Sequence, residues 1–398
     1  MNIPAINGGP SVRNSFLPAF EPYITEDEIQ EVTDTLTTGW ITRGPKTKKF
    51  EDQFTDYLGV KNAIALNSCT SALHLSLVAF NIGNSAEVIT TPFTFVSTVE
   101  VIVHQGATPV LVDIDEETYN IDSKLIEDKI TDRTRAIIPV HYGGHPCEMD
   151  EIEKIAREYD LVIIEDAAHA LGATYRGRKI GTIGDTTCFS FYSTKNLTTG
   201  EGGMITIEDD DIANKCRSLS MHGFDRNAWQ RYSSKGSWYY EIRYPGFKYN
   251  MTDIQASLGI RQLHKFEDMQ EKRKSIAKLY QEGLKDTPSI TLPTIRDYVN
   301  HAWHLFPILI DFSYLSINRS KFIEALKAEN VGSSVHFIPI HYHPFYNEFL
   351  RTKKGDFPIT EFVYEREVSL PIYPSMTNKD VLDVIQAIKK IIDFFALK

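Results

Sequence analysis

A single lysine, Lys195, lies in the stretch SFYSTKNLTTGEGG (residues 190–203), between an apolar, aromatic run and a cluster of glycines. A lysine side chain loses hydration in such a setting, and burial therefore favours the neutral amine over the ammonium form. A neutral amine is a nucleophile that can bond covalently to a carbonyl carbon. The spacing alone, however, favours an ordinary solvated lysine on a loop, so other residues must decide between the two interpretations.

Hydroxyl side chains follow a short apolar run in IALNSCTSALHL (residues 64–75). Ser68, Thr70 and Ser71 lie where a strand ending at Leu66 gives way to a helix. Free backbone N–H groups, hydroxyls and the positive end of a helix together favour binding of a phosphate group. Serine and threonine are also common helix caps, so a cap without a ligand is the alternative interpretation.

A carboxylate, Asp166, ends an apolar run in LVIIEDAAHALGA (residues 161–173). A strand of this composition is buried on both faces, and a buried carboxylate needs a partner or a function. A structural ion pair is the alternative to a functional role.

The three features together match the requirements of pyridoxal phosphate. Its phosphate needs an anion-binding site, its ring nitrogen needs an anion that keeps it protonated, and its aldehyde needs an amine. Lys195 is the predicted amine. No single one of the three features carries this prediction alone.

The surrounding sequence alternates between short apolar runs and segments of helical periodicity, such as TSALHLSLVAF and MDEIEKIAREY. The runs that predict strands are AIAL, EVIT, PVLVDI, AIIPV, LVIIE, CFSFY and GGMITI. Such alternation indicates a mostly parallel sheet covered by helices on both faces. In open parallel sheets ligands bind beyond the carboxyl ends of the strands, where the three features are predicted to lie.

Flanking segments predict the remaining organisation. Thr25 and Glu28 form a capping box at the start of a helix, and a helical stretch through Phe50 ends at Gly59. A long helical region over residues 253–284 is predicted to bridge two domains. Beyond it, HAWHLFPILIDF and SSVHFIPI predict strands, and SKFIEALKAEN and NKDVLDVIQAIKKIIDFF predict helices, which together indicate a smaller α+β domain on an antiparallel sheet. The predicted domains are residues 1–255, which bind the cofactor, and residues 256–398.

Composition narrows the class of protein. The net charge of −11 without a basic block argues against nucleic acid as a partner. The N-terminal residues lack a signal pattern and no apolar run reaches membrane length, so a cytoplasmic location without a membrane partner is expected. The four cysteines lack a C-x-x-C pair, which fits reduced thiols.

Two pairs of closely spaced histidines raise the question of a metal site. They are His141 with His145 and His341 with His343. Neither pair lies on an evident helix, and no carboxylate or cysteine completes a ligand set at recognisable spacing. No metal is therefore expected.

Ordered motifs along the chain resemble the sugar aminotransferases of the DegT/StrS family. They are GWITRGPKTKKFE, NSCTSALHL, EVITTPFTFVST, IIPVHYGG, IEDAAHALGA, SFYSTKNLTTGEGGM and YNMTDIQASLG. The resemblance runs from about Gly39 to beyond Pro371. HAWHLF and IPVHYGG further resemble the branch of the family typified by UDP-4-amino-4-deoxy-L-arabinose–oxoglutarate aminotransferases.

The resemblance implies an α/β fold of the aspartate-aminotransferase type (PLP fold type I). This fold has a large domain on a mostly parallel seven-stranded sheet and a smaller α+β C-terminal domain. The resemblance also implies a homodimer with active sites at the subunit interface. By resemblance, Lys195 carries the cofactor and moves protons, and Asp166 pairs with the ring nitrogen. The other implied cofactor contacts are Thr70, Ser71 and Ser190 at the phosphate, Asn250 from the partner subunit, and Phe95 and His169 beside the ring.

The activity implied by the resemblance is transfer of an amino group from L-glutamate to a keto sugar, carried on a nucleotide diphosphate. The HAWHLF motif and the position of His169 favour a 4-keto sugar. Amination at C-3, or a regulatory protein that binds the cofactor without turnover, are the alternatives. A related dehydratase branch has histidine in place of the lysine, so Lys195 disfavours it. An oxidoreductase is disfavoured because no G-x-G-x-x-G motif follows the first strand.

Three residues are expected to contact the substrate. Arg226 lies in MHGFDRNAWQRYSSKGSWYYEIRY (residues 221–244), whose arginines and aromatic rings can bind a nucleotide diphosphate by charge and stacking. A surface excursion is the alternative interpretation of this segment. His336 and His341 are expected near the sugar, by resemblance only.

Overall fold

The computed structural model describes residues 3–224 and 239–397. Its helices are α1 (Glu26–Thr38), α2 (Pro45–Leu58), α3 (Cys69–Ala79), α4 (Ser97–His104), α5 (Met149–Tyr159), α6 (Asp210–Leu219), α7 (Asp253–His264), α8 (Phe266–Leu284), α9 (Arg319–Ala328), α10 (Pro344–Leu350), α11 (Pro358–Arg366) and α12 (Asn378–Phe395). Its strands are β1 (Asn62–Leu66), β2 (Glu87–Thr90), β3 (Thr108–Leu111), β4 (Thr134–Ile137), β5 (Val162–Asp166), β6 (Thr174–Tyr175), β7 (Arg178–Lys179), β8 (Thr186–Ser190), β9 (Gly203–Ile207), β10 (Ile290–Thr291), β11 (Val299–Asn300), β12 (Phe306–Ile310) and β13 (Glu367–Leu370).

Seven strands form the central sheet in the order β1-β9-β8-β5-β4-β2-β3. The ladders joining β8, β5, β4, β2 and β3 are parallel, whereas β9 runs antiparallel to both of its neighbours. Each of the seven apolar runs contributes one strand. The predicted α/β fold with a mostly parallel seven-stranded sheet is therefore confirmed.

Local signals set several helix ends. The N–H of Thr25 donates to the Glu28 carboxylate at 2.8 Å, completing the predicted capping box of α1. Helix α2 ends at Gly59, which adopts φ = 81°, a left-handed conformation that glycine reaches without a steric penalty. Phe50 and Phe54 on this helix pack beneath the sheet with less than 1% of their surface exposed.

A smaller antiparallel sheet, β10-β12-β13, forms in the C-terminal half, as predicted. Helices α9 and α12 pack together there, and α12 also contacts α8. The N-terminal residues reach this half, where the backbone N–H of Ala5 donates to the Glu329 carboxylate at 2.8 Å. The domain boundary between residues 255 and 256 stays a prediction. Among the described residues, no helix has the length and apolar character that a membrane crossing demands.

The prediction of one long bridging helix is wrong in a detail. Residues 253–284 form two helices, α7 and α8, which meet at Lys265. Lys265 has φ = −105° and ψ = 11°, outside the helical range, and ends one helix as it begins the next. Helix α7 packs on α1 and α2, while α8 continues toward the C-terminal half.

The predicted strand over HAWHLFPILIDF is shorter than expected. Only residues 306–310 form β12, whereas residues 301–305 bind the turn at Gly143 and Gly144. The N–H of Ala302 donates to the Gly144 carbonyl, and the N–H of His304 to the Gly143 carbonyl. A side chain at Gly144 would lie 3.0 Å from Trp303 N, so glycine allows this close approach.

The predicted strand over SSVHFIPI does not form. A single bridge joins Ser334 to Ser369, and the next backbone donor, the N–H of His336, binds the Glu367 side chain instead of a neighbouring strand. Pro339 has no N–H to donate, so a regular ladder cannot continue through it. The segment therefore lies beside β13, at the edge of the C-terminal sheet, as irregular backbone.

Candidate functional site

A cavity of about 520 Å³ opens at the carboxyl ends of β1, β5 and β8. This is the edge at which parallel sheets bind ligands. The cavity brings together seven of the predicted site residues, namely Thr70, Phe95, Asp166, His169, Ser190, Lys195 and His336. Ser71, Asn250 and His341 do not line it, and Arg226 falls outside the described residues.

Lys195 lies in the loop between β8 and β9, with its amine at the cavity. Its backbone N–H donates to the Tyr192 carbonyl at 2.9 Å. Burial lowers the pKa of Lys195 to about 8, although the nearby Cys69 and Asp166 act in the opposite direction. At that pKa about one amine in ten is neutral at pH 7, far more than for a solvated lysine.

The neighbouring Asn196 anchors the lysine loop to the rest of the molecule. Its side-chain amide donates to the Ala302 carbonyl at 2.7 Å and to Gln270 Oε1 at 3.1 Å. Gln270 belongs to α8, so the loop is tied both to a helix and to the segment that carries His304. This anchoring limits the positions that the adjacent Lys195 can adopt.

Asp166 ends β5 with its carboxylate toward the cavity and 4% of its surface exposed. The Thr98 hydroxyl donates to Oδ2 at 2.7 Å, and the Ala168 N–H donates to Oδ1 at 3.2 Å. Burial raises the pKa of Asp166, although these two hydrogen bonds and the charge of Lys195 oppose the rise. Two donors leave part of the acceptor capacity of this carboxylate free for a ligand.

The N-terminus of α3 forms another wall of the cavity, through Ser68 and Thr70. Ser68 is the helix cap, and its hydroxyl accepts from the Ser71 N–H at 3.1 Å. The Ser71 hydroxyl donates to Asn67 Oδ1 at 2.7 Å and so supports the cap from behind. Gly203 faces this turn, where an added side chain would lie 2.4 Å from the Ser68 carbonyl carbon.

Aromatic side chains border the cavity. Phe95 is 57% exposed, and its ring centroid lies 6.0 Å from that of Phe337. The His169 ring stacks on Phe337 at 5.8 Å with an interplanar angle of 20°. The N–H of Gly143 donates to His169 Nδ1 at 3.2 Å, so the neutral ring carries its proton on Nε2. Burial holds the pKa of His169 well below its usual value, which keeps the ring neutral.

His336 reaches the cavity from the C-terminal half and is bound there by β13. Its Nδ1 lies 2.8 Å from the Ser369 hydroxyl, which donates onward to the Glu367 carboxylate. Burial raises the pKa of Glu367 to about 8 and lowers the pKa of His336 to about 3. A buried acid is thus linked to the cavity through a hydroxyl and an imidazole.

Asn250 and His341 lie elsewhere. Asn250 pairs with Leu66 at the end of β1, and its amide donates to the Met251 carbonyl at 3.1 Å. His341 is fully buried, with Nε2 3.0 Å from the Glu361 carboxylate and its ring against Phe357. The structure therefore does not bring His341 to the cavity.

Sequence reasoning did not single out three residues of the site: Thr98, His304 and Phe337. Thr98 lies inside α4, where its spacing carries no signal. His304 lies in the HAWHLF motif, which predicted a strand rather than a ligand-facing loop. Phe337 follows His336 in a segment also predicted as a strand. In the folded chain His304 and Phe337 line the cavity, and Thr98 lies behind it, where its hydroxyl donates to Asp166.

The imidazoles of the first histidine pair considered for a metal have other partners. His141 Nε2 contacts Glu165 at 2.8 Å, and the Arg296 N–H donates to His145 Nε2 at 3.4 Å. Within residues 3–224 and 239–397, no group of three or more His, Cys, Asp or Glu side chains is arranged to hold a metal ion. The four cysteines are buried and free.

Comparison with known proteins extends this description. The model of the DegT/DnrJ/EryC1/StrS aminotransferase family matches residues 22–389. Uncharacterized protein MJ1066 of Methanocaldococcus jannaschii is 64% identical over 96% of this chain and 99% of its own length. The spore coat polysaccharide biosynthesis protein SpsC of Bacillus subtilis is 51% identical over 96% of this chain and 98% of its own.

A solved structure matches the fold closely. The putative sugar aminotransferase Spr1654 of Streptococcus pneumoniae superimposes with a TM-score of 0.88 at 34% identity, covering 95% of this chain and 99% of its own. It has been solved in a PLP-form and a PMP-form. The predicted fold type and the predicted cofactor agree with this structure.

Proposed function

Because the chain belongs to the DegT/DnrJ/EryC1/StrS aminotransferase family, we propose that it moves an amino group from L-glutamate to a 4-keto sugar. The sugar is carried on a nucleotide diphosphate, and the cofactor is pyridoxal phosphate. The observation that carries the proposal is that the Lys195 amine and the Asp166 carboxylate face one cavity at the carboxyl edge of the sheet. The enzyme acts in the cytoplasm, where its free thiols stay reduced.

The residues around the cavity fit this cofactor. The amino end of α3, with Ser68 and Thr70, offers N–H groups and hydroxyls to a phosphate, and Ser190 at the end of β8 lies on the same cavity. Asp166 keeps acceptor capacity for the protonated ring nitrogen. Lys195 supplies a partly neutral amine for the aldehyde.

Lys195 has two tasks in the proposed reaction. When bound, pyridoxal phosphate supplies an aldehyde that accepts the amino group and a ring that stabilises the electrons left by a departing proton. Once the amino donor has displaced it from the cofactor, the Lys195 amine accepts, at Nζ, the proton from the α-carbon of the donor. It then returns this proton to the adjacent carbon, the aldehyde carbon of the cofactor. A pKa of about 8 suits this exchange near neutral pH.

Other side chains orient the reaction and exclude water from it. The Asp166 carboxylate holds the proton on the ring nitrogen, which keeps the ring able to accept electrons. Phe95 offers an apolar surface and His169 a neutral one, and both line the cavity. A neutral His169 avoids placing a second positive charge beside the amine of Lys195.

The substrate class is argued from the relatives and from the C-terminal wall of the cavity. SpsC is described as a polysaccharide biosynthesis protein, and Spr1654 as a putative sugar aminotransferase. His336 presents an imidazole to the cavity, which suits the hydroxyl groups of a sugar. The segment with Arg226 is proposed to bind the nucleotide diphosphate.

The proposed enzyme is a homodimer with shared active sites. Asn250 does not line the cavity of its own chain but lies at the end of β1, 8% exposed. We place its amide at the cofactor phosphate of the partner subunit. Analytical ultracentrifugation of the full-length protein, which should give twice the chain mass, tests the assembly.

The test of the proposed function is turnover with glutamate and a panel of 4-keto and 3-keto nucleotide sugars. Formation of 2-oxoglutarate with a 4-keto sugar, and parallel lines in double-reciprocal plots, are expected because one site serves both substrates in turn. The Lys195→Ala variant is the control and should be inactive. Turnover restricted to 3-keto sugars would overturn the assigned ring position, and bound cofactor without turnover on any sugar would indicate a sensor.

A further inference from the structure

His304 lies beside the Lys195 amine at the cavity. It belongs to the segment at residues 301–305 that binds the Gly143–Gly144 turn, and its side chain is 3% exposed at the cavity. Its Nε2 is 3.5 Å from Lys195 Nζ, at the long end of the hydrogen-bond range. Its ring also contacts His169, with centroids 4.3 Å apart.

The hydrogen bonds of Asn196 fix the position of the proton on His304. The amide nitrogen of Asn196 donates to Ala302 and Gln270, which turns its oxygen toward His304 Nδ1 at 3.1 Å. An amide oxygen only accepts, so Nδ1 of the imidazole must be the donor. In the neutral ring Nε2 then has no proton, and its lone pair faces Lys195.

We infer that His304 is a positioning residue for Lys195, whose Nζ donates a hydrogen bond to His304 Nε2. This bond directs one N–H of the amine toward the imidazole and leaves the nitrogen lone pair to face the cavity. Asn196 directly follows Lys195 in the chain and sets the imidazole tautomer. Hydrogen bonds therefore link Lys195 through His304 to its own neighbour, Asn196. The inference rests on the proposed role of Lys195 as the amine that bonds to the cofactor.

The surroundings of His304 favour a neutral imidazole that accepts a hydrogen bond over one that takes up a proton. Burial holds the pKa of His304 well below its usual value, and the positive charges of Lys195 and Arg273 act in the same direction. The imidazole therefore stays neutral while Lys195 gains and loses its proton. Because the ring is held by Asn196 on one side and packed against His169 on the other, the acceptor is fixed before any ligand enters.

The test uses the full-length protein and two variants of the same position. His304→Phe keeps a flat ring but removes both nitrogen atoms, whereas His304→Gln keeps an acceptor near the position of Nε2. His301→Gln is the matched control, because His301 is a buried histidine of the same segment whose Nδ1 accepts from the Trp303 N–H at 2.8 Å. The first readout is the pH midpoint for acetylation of Lys195 in the cofactor-free protein, followed by peptide mass spectrometry.

A neutral acceptor stabilises the ammonium form, so its loss should lower the labelling midpoint of Lys195 by about one pH unit in His304→Phe. With cofactor and substrates, kcat of this variant should fall about tenfold or more while KM changes little. His304→Gln should restore most of both properties, and His301→Gln should match the unmodified protein. An unchanged midpoint in His304→Phe, or an equal shift in His301→Gln, overturns the inference.

A measurement on the unmodified protein decides the question if His304→Phe does not fold. Two-bond ¹⁵N–¹H spectra of the histidine-labelled protein should show His304 with its proton on Nδ1, the signal being assigned by its loss in His304→Gln. A proton on Nε2 would overturn the inference. Absence of turnover on every keto sugar would contradict the proposed function alone, because the midpoint and the tautomer are measured without turnover.

Discussion

The two faces of β5 place neighbouring carboxylates in opposite circumstances. Glu165 on one face accepts from His141 Nε2 at 2.8 Å, the Gly184 N–H at 2.8 Å and the Thr187 hydroxyl at 2.6 Å. Despite full burial, these donors hold the pKa of Glu165 below its usual value. Asp166 on the other face has two donors, a raised pKa and an open side toward the cavity.

This contrast separates a structural carboxylate from one available to a ligand. Both side chains are buried at the end of the same strand, so burial alone does not distinguish them. The donors and the access to the cavity do: Glu165 accepts three hydrogen bonds and does not line the cavity, whereas Asp166 accepts two and does. The histidines differ in the same way, since both nitrogens of His141 are bound away from the cavity, whereas Nε2 of His304 faces Lys195 at the cavity.

The largest effect is expected for Asp166→Asn. The Thr98 hydroxyl can rotate so that its oxygen accepts from the new amide while its hydrogen is donated to the Thr94 hydroxyl, 2.8 Å away. The fold should therefore tolerate the change. The amide cannot hold the proton on the ring nitrogen, and kcat should fall by about 10³-fold, which corresponds to about 4 kcal/mol. Steady-state kinetics measure the effect, with thermal unfolding as the control. Retention of activity would show that Asp166 is not the carboxylate that serves the cofactor.

Glu165→Gln should act on stability instead. The N–H of Cys147 donates to His141 Nδ1, so His141 Nε2 carries a proton that would face the new amide. Two opposed buried donors should lower the free energy of unfolding by about 3 kcal/mol. Urea unfolding measures the loss, while kcat of the folded fraction should change by no more than about threefold. A stable variant with low kcat would reverse the two assignments.

Glu367 provides a pH-dependent test of a third buried carboxylate. Burial raises its pKa to about 8 from the usual 4.5, so the folded protein holds a proton there that the unfolded chain releases. The stability that this proton contributes is complete below about pH 4.5 and is lost as the pH rises through 8. Relative to the unmodified protein, Glu367→Gln should therefore gain about 1–3 kcal/mol between pH 5 and pH 8.5. A pH-independent difference would show that Glu367 is ionised like Glu165.

The smallest effect is expected for Thr98→Val, which keeps the shape of the side chain and removes one donor from Asp166. The carboxylate becomes harder to ionise, and its pairing with the cofactor ring should weaken by about 1 kcal/mol, or about fivefold in Kd. Fluorescence titration with pyridoxal phosphate measures this change. Thr187→Val, on the Glu165 face, is the matched control and should bind the cofactor normally. Equal Kd values for the two variants would contradict the separation of the faces.

Much of the fold, and the family, could be predicted from the sequence. The seven apolar runs became the seven strands, the capping box of Thr25 and Glu28 formed, and the family predicted from the ordered motifs is confirmed. These features depend on local periodicity or on contiguous motifs. The break at Lys265 and the missing strand around Pro339 depend instead on which segments pack against one another.

Part of the candidate site could be predicted from the sequence for the same reason. Asp166 and Lys195 follow strands, and strand ends converge on one sheet edge, so their meeting followed from topology. Thr98 reaches Asp166 from the first turn of α4, and His304 reaches Lys195 from irregular backbone. Neither local sequence pattern predicts such a position. The tautomer of His304 depends on Asn196 and Gln270, whose contacts exist only in the folded chain.

Reduction of the cofactor-bound protein with borohydride tests whether Lys195 is the amine that binds the cofactor. The protein as purified with pyridoxal phosphate should be yellow, reduction should fix the cofactor irreversibly, and the added mass should lie on the peptide containing Lys195. The Lys195→Ala variant should retain no cofactor after reduction and denaturation. Attachment at a different lysine, or a reduced protein without added mass, would show that Lys195 is not the amine that binds the cofactor.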